Sequence, residues 1–568
     1  MSAVPTPFDA DRAAPDVPVA GPRGPFARLY RRDLAEYPST GPRMVYLAIV
    51  VVTTVVLYYM LYIQYAVATS IITHFHMTYR YFIWVSVIGN AIGAFASLLA
   101  GLADRWGRAN LVVYGLLVAA LLVLFGLPNA SDKSVYLVLF ALVSFIEGIV
   151  LVATPALIRD FSPQLGRATA MGYWTMGPVV GSLVVTTVTS NTLATSSWQQ
   201  ELRYSAIAGL VVFAVALFAL RELSPGLRDQ IMVSLRDRVL VEARAKGLDT
   251  ETLRRGEWRQ MLRPDILGSA FAISAFLLLY FAAVGNFVVY FAVNYGFSEQ
   301  RTNGLANWYW GANAIALVLV GLGSDRLKVR KPFMIVGAVG TVVATAVFAT
   351  RATHPGTGYY TFAWLFMGIG IFSGIAYAPW MASFTETVEK RNPAATAAGL
   401  AVWGWTIRIV VAVSSACIPV VVTSVTPLVE HGAQVTAAQA QAGPALAVVE
   451  AHPQLFAEMG KYTPATMPAE LGARAVKEVG PADLALVQKA QPQLKVLQEY
   501  GPRVQKAAKE GPGEWRTWWW ICVGGQVLFL PFVFVMAGRW SPKKARQDAE
   551  EHQAVVDSEL AALASAKA

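Results

Sequence analysis

Two ionisable residues interrupt long apolar runs of this chain near their midpoints: Glu147 in SFIEGIV and Arg408 in WGWTIRIVV. A charge at the centre of a bilayer costs at least ~2.5–3.5 kcal/mol, so such residues turn to a protein interior or a wet cavity and mark paths for ions or solutes. A carboxylate in low-dielectric surroundings can take a proton on one side and release it on the other, which makes Glu147 the candidate for proton coupling. A neutral Glu bonded to a neighbouring helix is the structural alternative. Arg408 keeps its charge and needs an anion, carbonyls or water. A carboxylate or phosphate on a substrate is one solution; a bond to the second helix near Asn90 is the other. Asn286, Tyr290 and Asn294 recur every four residues, and Tyr58, Tyr62 and Tyr65 nearly so, so each set shares one helix face and is a candidate substrate-binding stripe. Such stripes also occur as ordinary membrane packing.

Long helices must hold these residues. Of 568 residues 55% are hydrophobic and 14% are Asp, Glu, Lys or Arg, against roughly 25% charged in soluble domains. The excess falls in twelve runs: 44–73, 81–102, 110–128, 134–157, 167–190, 203–222, 266–294, 304–323, 332–351, 359–384, 394–426 and 516–538. Each can cross a hydrocarbon core of roughly 30 Å as a helix. The expected fold is an all-α integral membrane protein of twelve spans, numbered 1 to 12 below, and a monomer. On span 5, Gly172 and Gly177-Pro178-x-x-Gly181 permit a kink and close helix approach; on span 10, Gly370, Ser373, Gly374 and Tyr377 do the same.

The net charge of +10 follows topology rather than nucleic acid. Lys and Arg gather in the N-terminal tail, at 105–108, 159–167, 223–265, 326–331, 390–391 and 539–546, while the alternate short loops hold one each. Cationic loops stay cytoplasmic, which places both termini inside and the chain in the plasma membrane. Residues 1–43 carry eight prolines and read as a disordered cytoplasmic tail. Spans 1–6 occupy 44–222, and a linker at 223–265 holds an amphipathic stripe at Leu227, Ile231, Leu235 and Val239. Spans 7–11 occupy 266–426, span 12 lies in 515–540, and 541–568 forms a cytoplasmic tail. Between spans 11 and 12, residues 427–514 form a polar external insert, expected as short helices broken at Pro-Gly, with a possible envelope partner. Trp515 and Trp518 to Trp520 are expected at the outer interface, where indole rings prefer to sit.

The gap between spans 2 and 3, GLADRWGRAN, holds three charges and a glycine, and a relative returns between spans 8 and 9 as GLGSDRLKVRKP. Asp104-Arg105 recurs as Asp325-Arg326, 221 residues on; Pro155 recurs as Pro379, offset 224; ATAMG at 168–172 recurs as ATAAG at 395–399, offset 227. A drifting offset at three landmarks is what duplication with small insertions leaves.

Asp-Arg-x-Gly-Arg between spans 2 and 3, a relic between spans 8 and 9, and two six-helix halves resemble the major facilitator superfamily. The resemblance implies two pseudo-symmetric six-helix bundles with spans 1, 4, 7 and 10 around a central cavity, and a cytoplasmic gate. In that gate Asp104 faces the start of span 11, which opens Asn392-Pro393, and Arg108 meets Asp160 at the inner end of span 4. Asp104, Arg105, Gly107, Arg108, Asp160, Asp325 and Arg326 are the gate candidates. The family often has an arginine where this chain has Ser144 and commonly a glutamine at 147. The span 5 glycine-proline pattern is associated there with exchangers and exporters, a tilt toward efflux.

The resulting expectation is a proton-coupled secondary transporter moving a small organic solute by alternating access. An amphiphile efflux antiporter is the alternative within the class, and a scaffold or sensor acting through 427–514 the alternative outside it. No phosphate-binding loop occurs, and six scattered histidines and two cysteines, Cys417 and Cys522, suggest no metal or other cofactor. No nucleophile, base and orienting residue gather at one membrane face, so an enzyme is not expected.

Overall fold

The computed structural model describes residues 27–97, 106–162, 173–224, 227, 261–354, 356–391, 396–462 and 466–544, with 546–547, 550–551, 554 and 558 beyond them. Helix occupies every predicted run. Span 1 is Thr40–Ala66 continued by Ala68–His74, span 2 Tyr79–Ser97, span 3 Arg108–Leu121 with a π turn at Leu122–Gly126, span 4 Lys133–Phe161, span 5 Gly177–Thr192 and span 6 Trp198–Ala219. Span 7 is Pro264–Phe276 with Leu278–Tyr295, span 8 Glu299–Leu327, span 9 Lys331–Arg351, span 10 Tyr359–Arg391, span 11 Thr396–Val421, and span 12 the end of Gln491–Val535. Among the described residues ten helices are long and apolar enough to cross a membrane; spans 2 and 5 adjoin residues outside the described set.

The two halves repeat one packing plan. In the first, span 4 packs on spans 1, 2 and 3, span 1 on 5 and 6, and span 6 on 3; in the second, span 10 packs on 7, 8 and 9, span 7 on 11 and 12, and span 12 on 9. Every first-half pair thus has its counterpart six spans later. Atomic detail follows suit at one pair of glycines. A Cβ on Gly148 of span 4 would collide with the Gly93 carbonyl oxygen and meet the Ala96 Cβ, and one on Gly374 of span 10 would meet the Asn313 carbonyl oxygen and the Ala316 Cβ. Helices approach this closely in membranes only where no side chain intervenes. Between the halves, span 5 packs on span 8, span 2 on span 11 and span 1 on span 7.

The segment preceding span 1 is not a loose tail from Ala27 onward. Ala27–Tyr30 is a helical turn, and Asp33–Leu34 (β1) pairs in parallel with Glu222–Leu223 (β2). Between them Arg32, 1% exposed, donates to the Leu217, Leu220 and Ala216 carbonyls at 2.6, 3.2 and 3.3 Å, and through Nε to Asn110 Oδ1 at 2.9 Å. A fixed cation at the C-terminus of span 6 satisfies orphan carbonyls and the negative end of the helix dipole. Most of the 223–265 linker, with Ile231, Leu235 and Val239, lies outside the described residues.

The insert differs from its expected form. Val425–Ala451 and the start of Gln491–Val535 are long helices packed together, with Pro453–Met459, Ala469–Val479 and Pro481–Lys489 between them. Of four Gly-Pro steps, those at Pro444, Pro502 and Pro512 lie inside helices, and only Gly480-Pro481 breaks the chain, at a glycine φ of 91°. Glycine before proline removes the Cβ that Pro Cδ would strike, so a helix can continue through. Glu514 clamps the base of the hairpin, accepting from Thr423 Oγ1 at 2.6 Å and the Ser424 amide at 2.8 Å, and His431 stacks on Tyr500. The insert leaves one face of the bundle, the insert face; the chain ends lie on the other, the terminus face.

Candidate functional site

Glu147 is the middle residue of span 4, 1% exposed, and neither carboxylate oxygen has a hydrogen-bond partner among the described residues. Gly148 beside it holds span 4 against span 2. Near Glu147 stand Tyr58, Tyr62 and Tyr65 on span 1, whose rings follow one another at 5.2 and 6.2 Å. Across the halves, Tyr62 neighbours Tyr280 on span 7, and Tyr280 neighbours Tyr309 and Tyr377. Arg408, at the middle of span 11, acts electrostatically on Tyr58. Tyr58 thus lies near both the Glu147 carboxyl of span 4 and the Arg408 guanidinium of span 11, while Tyr62 and Tyr65 lie near Glu147. Toward the insert face, Tyr62 and Tyr65 wall a cavity of ≈ 20 Å³ with Ser182, Thr302, Asn303 and Trp310. That space suits water, not an organic solute, and the Ser182 and Thr302 hydroxyls are buried there without a protein partner.

The span 7 stripe divides. Asn286 accepts a 2.6 Å bond from the Tyr79 hydroxyl of span 2, joining the halves. Tyr290 does not face the cavity: it is fully buried, donates to the Ala352 carbonyl at 2.9 Å, and packs on Trp515 and Trp519 with centroids at 4.9 and 5.1 Å. Asn294 donates to the Tyr290 carbonyl. The reason is geometric, since a spacing of four advances about 40° beyond a full turn and the stripe winds away. Trp515, Trp518 and Trp519 are correspondingly buried rather than interfacial; Trp520 is the exposed one, at 45%.

On the terminus face each half carries an ion pair. Arg108 Nη1 reaches both carboxylate oxygens of Asp160 at 2.8 Å, as expected. The Arg108 amide donates to Glu222 at 2.7 Å; Gly107 before it has φ 87°, and a Cβ there would strike that carboxylate. In the second half Arg330 pairs with Glu386 at 3.1 Å and with Asp325 at 2.6 Å. Arg326, a gate candidate of the sequence, is exposed. Lys328 stands at the counterpart of Gly107 and takes the left-handed conformation with φ 54°. Asp104, Arg105, Gly172 and Asn392-Pro393 lie outside the described residues. On span 5 the helix restarts at Gly177 with Pro178 in its first turn, and Gly177 and Gly181 face Thr54 and Tyr58 of span 1.

The sequence matches the profile of the Major Facilitator Superfamily over residues 50–413. The chain belongs to this family. Among solved structures it is similar to a bacterial homologue of the human lysosomal transporter Spinster, inward-facing and unoccupied, at 14% identity and TM-score 0.55, covering 89% of this chain and 100% of that one. It is also similar to the xylose transporter XylE of E. coli, partially occluded and inward open, at 12% identity and TM-score 0.51, covering 66% of this chain and 92% of that one. No curated protein sequence matches. Family membership makes the chain a multi-pass membrane transporter rather than an enzyme. The transporter halves meet on the insert face, where Glu299 accepts from Thr69 and Ser70, Asn303 donates to Ala66, and Gln300 and Asn307 donate to Ser190. Both terminus-face pairs stay within a half. Arg32, Glu222, Tyr280 and Glu299 escaped sequence reasoning because each is an unremarkable residue until distant elements meet; Arg330 and Glu386 were within reach through the repeat offset.

Proposed function

We propose that this transporter is a proton-coupled carrier of a small organic solute, working by alternating access between two rocking halves. The observation that carries the reading is Glu147: a carboxyl at mid-span, sealed from water, with both oxygens unbonded and flanked by tyrosines of the facing helix. A buried ionised carboxylate without partners is costly, and a proton relieves that cost until rocking opens the site. Arg408 beside Tyr58 supports a solute with an anionic group. The basic loops make the terminus face cytoplasmic, so closure on the insert face corresponds to an inward-facing state; the similar Spinster homologue and XylE structures carry that description.

The test begins with a thermal-shift screen of metabolites and drugs, followed by proteoliposome transport of a radiolabelled hit. Glu147→Gln is expected to abolish accumulation driven by an imposed pH gradient while leaving exchange of labelled for unlabelled solute intact. Gradient-driven accumulation that survives in this variant refutes the assignment. The direction in which the gradient drives solute separates uptake from efflux.

A further inference from the structure

Span 1 breaks at Val67, with φ −121° and ψ 29°, between Thr40–Ala66 and Ala68–His74. In an unbroken helix the Ser70 amide would donate to the Ala66 carbonyl, four residues back. Here both groups find partners on one element of the other half. The Ser70 amide donates to Glu299 Oε1 at 2.8 Å, and the Ala66 carbonyl accepts from Asn303 Nδ2 at 2.8 Å. Thr69 and Ser70 hydroxyls add bonds to the Glu299 carboxylate at 2.5 and 2.6 Å. Glu299 and Asn303 are four apart in the first turns of span 8 and so share a face. On the C-terminal side of the break the helix resumes, Ile71 donating to Val67 at 3.1 Å. At the break, the Ser70 amide and the Ala66 carbonyl are thus each held by a side chain of span 8 in the opposite half.

We propose that Glu299 and Asn303 are the positioning residues of the insert-face gate, and that opening this gate closes the Ser70–Ala66 bond and makes span 1 a continuous helix. This rests on the alternating-access reading. Buried backbone groups do not stay unpaired, so when the halves part, the amide and carbonyl released by span 8 have each other as nearest partners. Span 1 then has two discrete forms, broken with the gate shut and straight with it open, which is the bistable element that coupling between sites requires. The break lies two residues above Tyr65 and five above Tyr62, so straightening turns the tyrosines that flank Glu147. Gate and proton site are linked through one helix.

The experiment uses the full chain in lipid nanodiscs, with Cys417 and Cys522 replaced and spin labels at Ser131 and Gly356, exposed in insert-face loops of opposite halves. Pulsed dipolar distances report the gate, and amide hydrogen exchange reports Ser70. Glu299→Ala is expected to raise the open, long-distance population roughly tenfold or more, Glu299→Gln by less, because its amide oxygen still accepts from Ser70. In the opened protein the Ser70 amide is expected to remain protected. Fast exchange at Ser70 in an opened gate overturns the helix closure. A gate that opens in the unmodified protein on acidification but is unmoved by Glu299→Ala overturns the clamp and leaves alternating access standing. Distances that never lengthen under any condition remove both.

Discussion

The two terminus-face ion pairs occupy matching places in the repeat yet differ in burial, and burial sets what each contributes. Arg108 and Asp160 side chains are 13% and 9% exposed, whereas Arg330 and Glu386 are 15% and 41% exposed. Removing one partner of a buried pair costs about 3–5 kcal/mol, because the other charge keeps its desolvation without its attraction. With about a tenth of each side chain still wet, Arg108→Ala is expected near the bottom of that range, about 3 kcal/mol. An exposed pair is worth at most about 1 kcal/mol, and Arg330 keeps Asp325 at 2.6 Å when Glu386 is removed, so Glu386→Ala is expected to cost less than that. Unfolding of the single and double variants in detergent gives two double-mutant cycles. The coupling of Arg108 with Asp160 should be about 1–3 kcal/mol and that of Arg330 with Glu386 below about 0.5 kcal/mol. Equal couplings, or the reverse order, would refute the claim that exposure decides the strength of these pairs.

Three further outcomes follow from individual contacts. Arg32→Ala should lower stability by about 2–4 kcal/mol, since it strips the span 6 carbonyls of a charged donor; Arg32→Lys should recover only part, lacking the planar fork, and thermal melts decide. Tyr290→Phe should cost about 1 kcal/mol from its single bond to Ala352 while solute exchange in proteoliposomes stays normal; lost exchange would return Tyr290 to the transport path. Replacing 427–512 with a short Gly-Ser link should preserve exchange, because Glu514 already brings the insert's two ends together at Thr423 and Ser424. Loss of exchange there would make the insert part of the transport cycle.

The spans were legible because apolar runs long enough for a bilayer leave little choice of structure, and the doubled motif carried the family. The repeat was legible to a finer grain than three landmarks. Contacts give offsets of 220 from Gly93 to Asn313, 222 from Arg108 to Arg330 and 226 from both Gly148 to Gly374 and Asp160 to Glu386. They rise steadily toward the 227 of ATAMG and ATAAG. In that series the Pro155 and Pro379 pair, at 224, stands two residues out of register, so the prolines lie at non-equivalent heights in spans 4 and 10. Helix periodicity fixes which residues share a face but not which neighbour that face meets, and this is why Tyr290, Trp515, Trp518 and Trp519 were misplaced. Apolar packing inside the second half outcompeted the interface for those rings. Arg32 was illegible for a different reason: proline-rich, charged sequence signals disorder on average, and one buried guanidinium overrides it locally.

The registered repeat also separates scaffold from chemistry. At an offset of 226 Glu147 has Ser373 as its counterpart, and at 227 Arg408 has Gly181. Ser373 is an ordinary packing group, accepting a 2.8 Å bond from Asn313 within its own half, and Gly181 lets span 5 close on Tyr58. Among the described residues the Gly148 and Gly374 contacts and the paired arginines are duplicated; the carboxyl and the guanidinium at mid-membrane are not. A symmetric frame can expose a central site to either side in turn with little difference in packing, since the same contacts serve both halves. A charge present in both halves would be bound equally from both, with no preference for where a proton or solute sits. In the proposed cycle, Glu147 on span 4 and Arg408 on span 11, both near Tyr58, would give the site one polarity that persists while the halves rock, orienting a bound solute against a transferable proton.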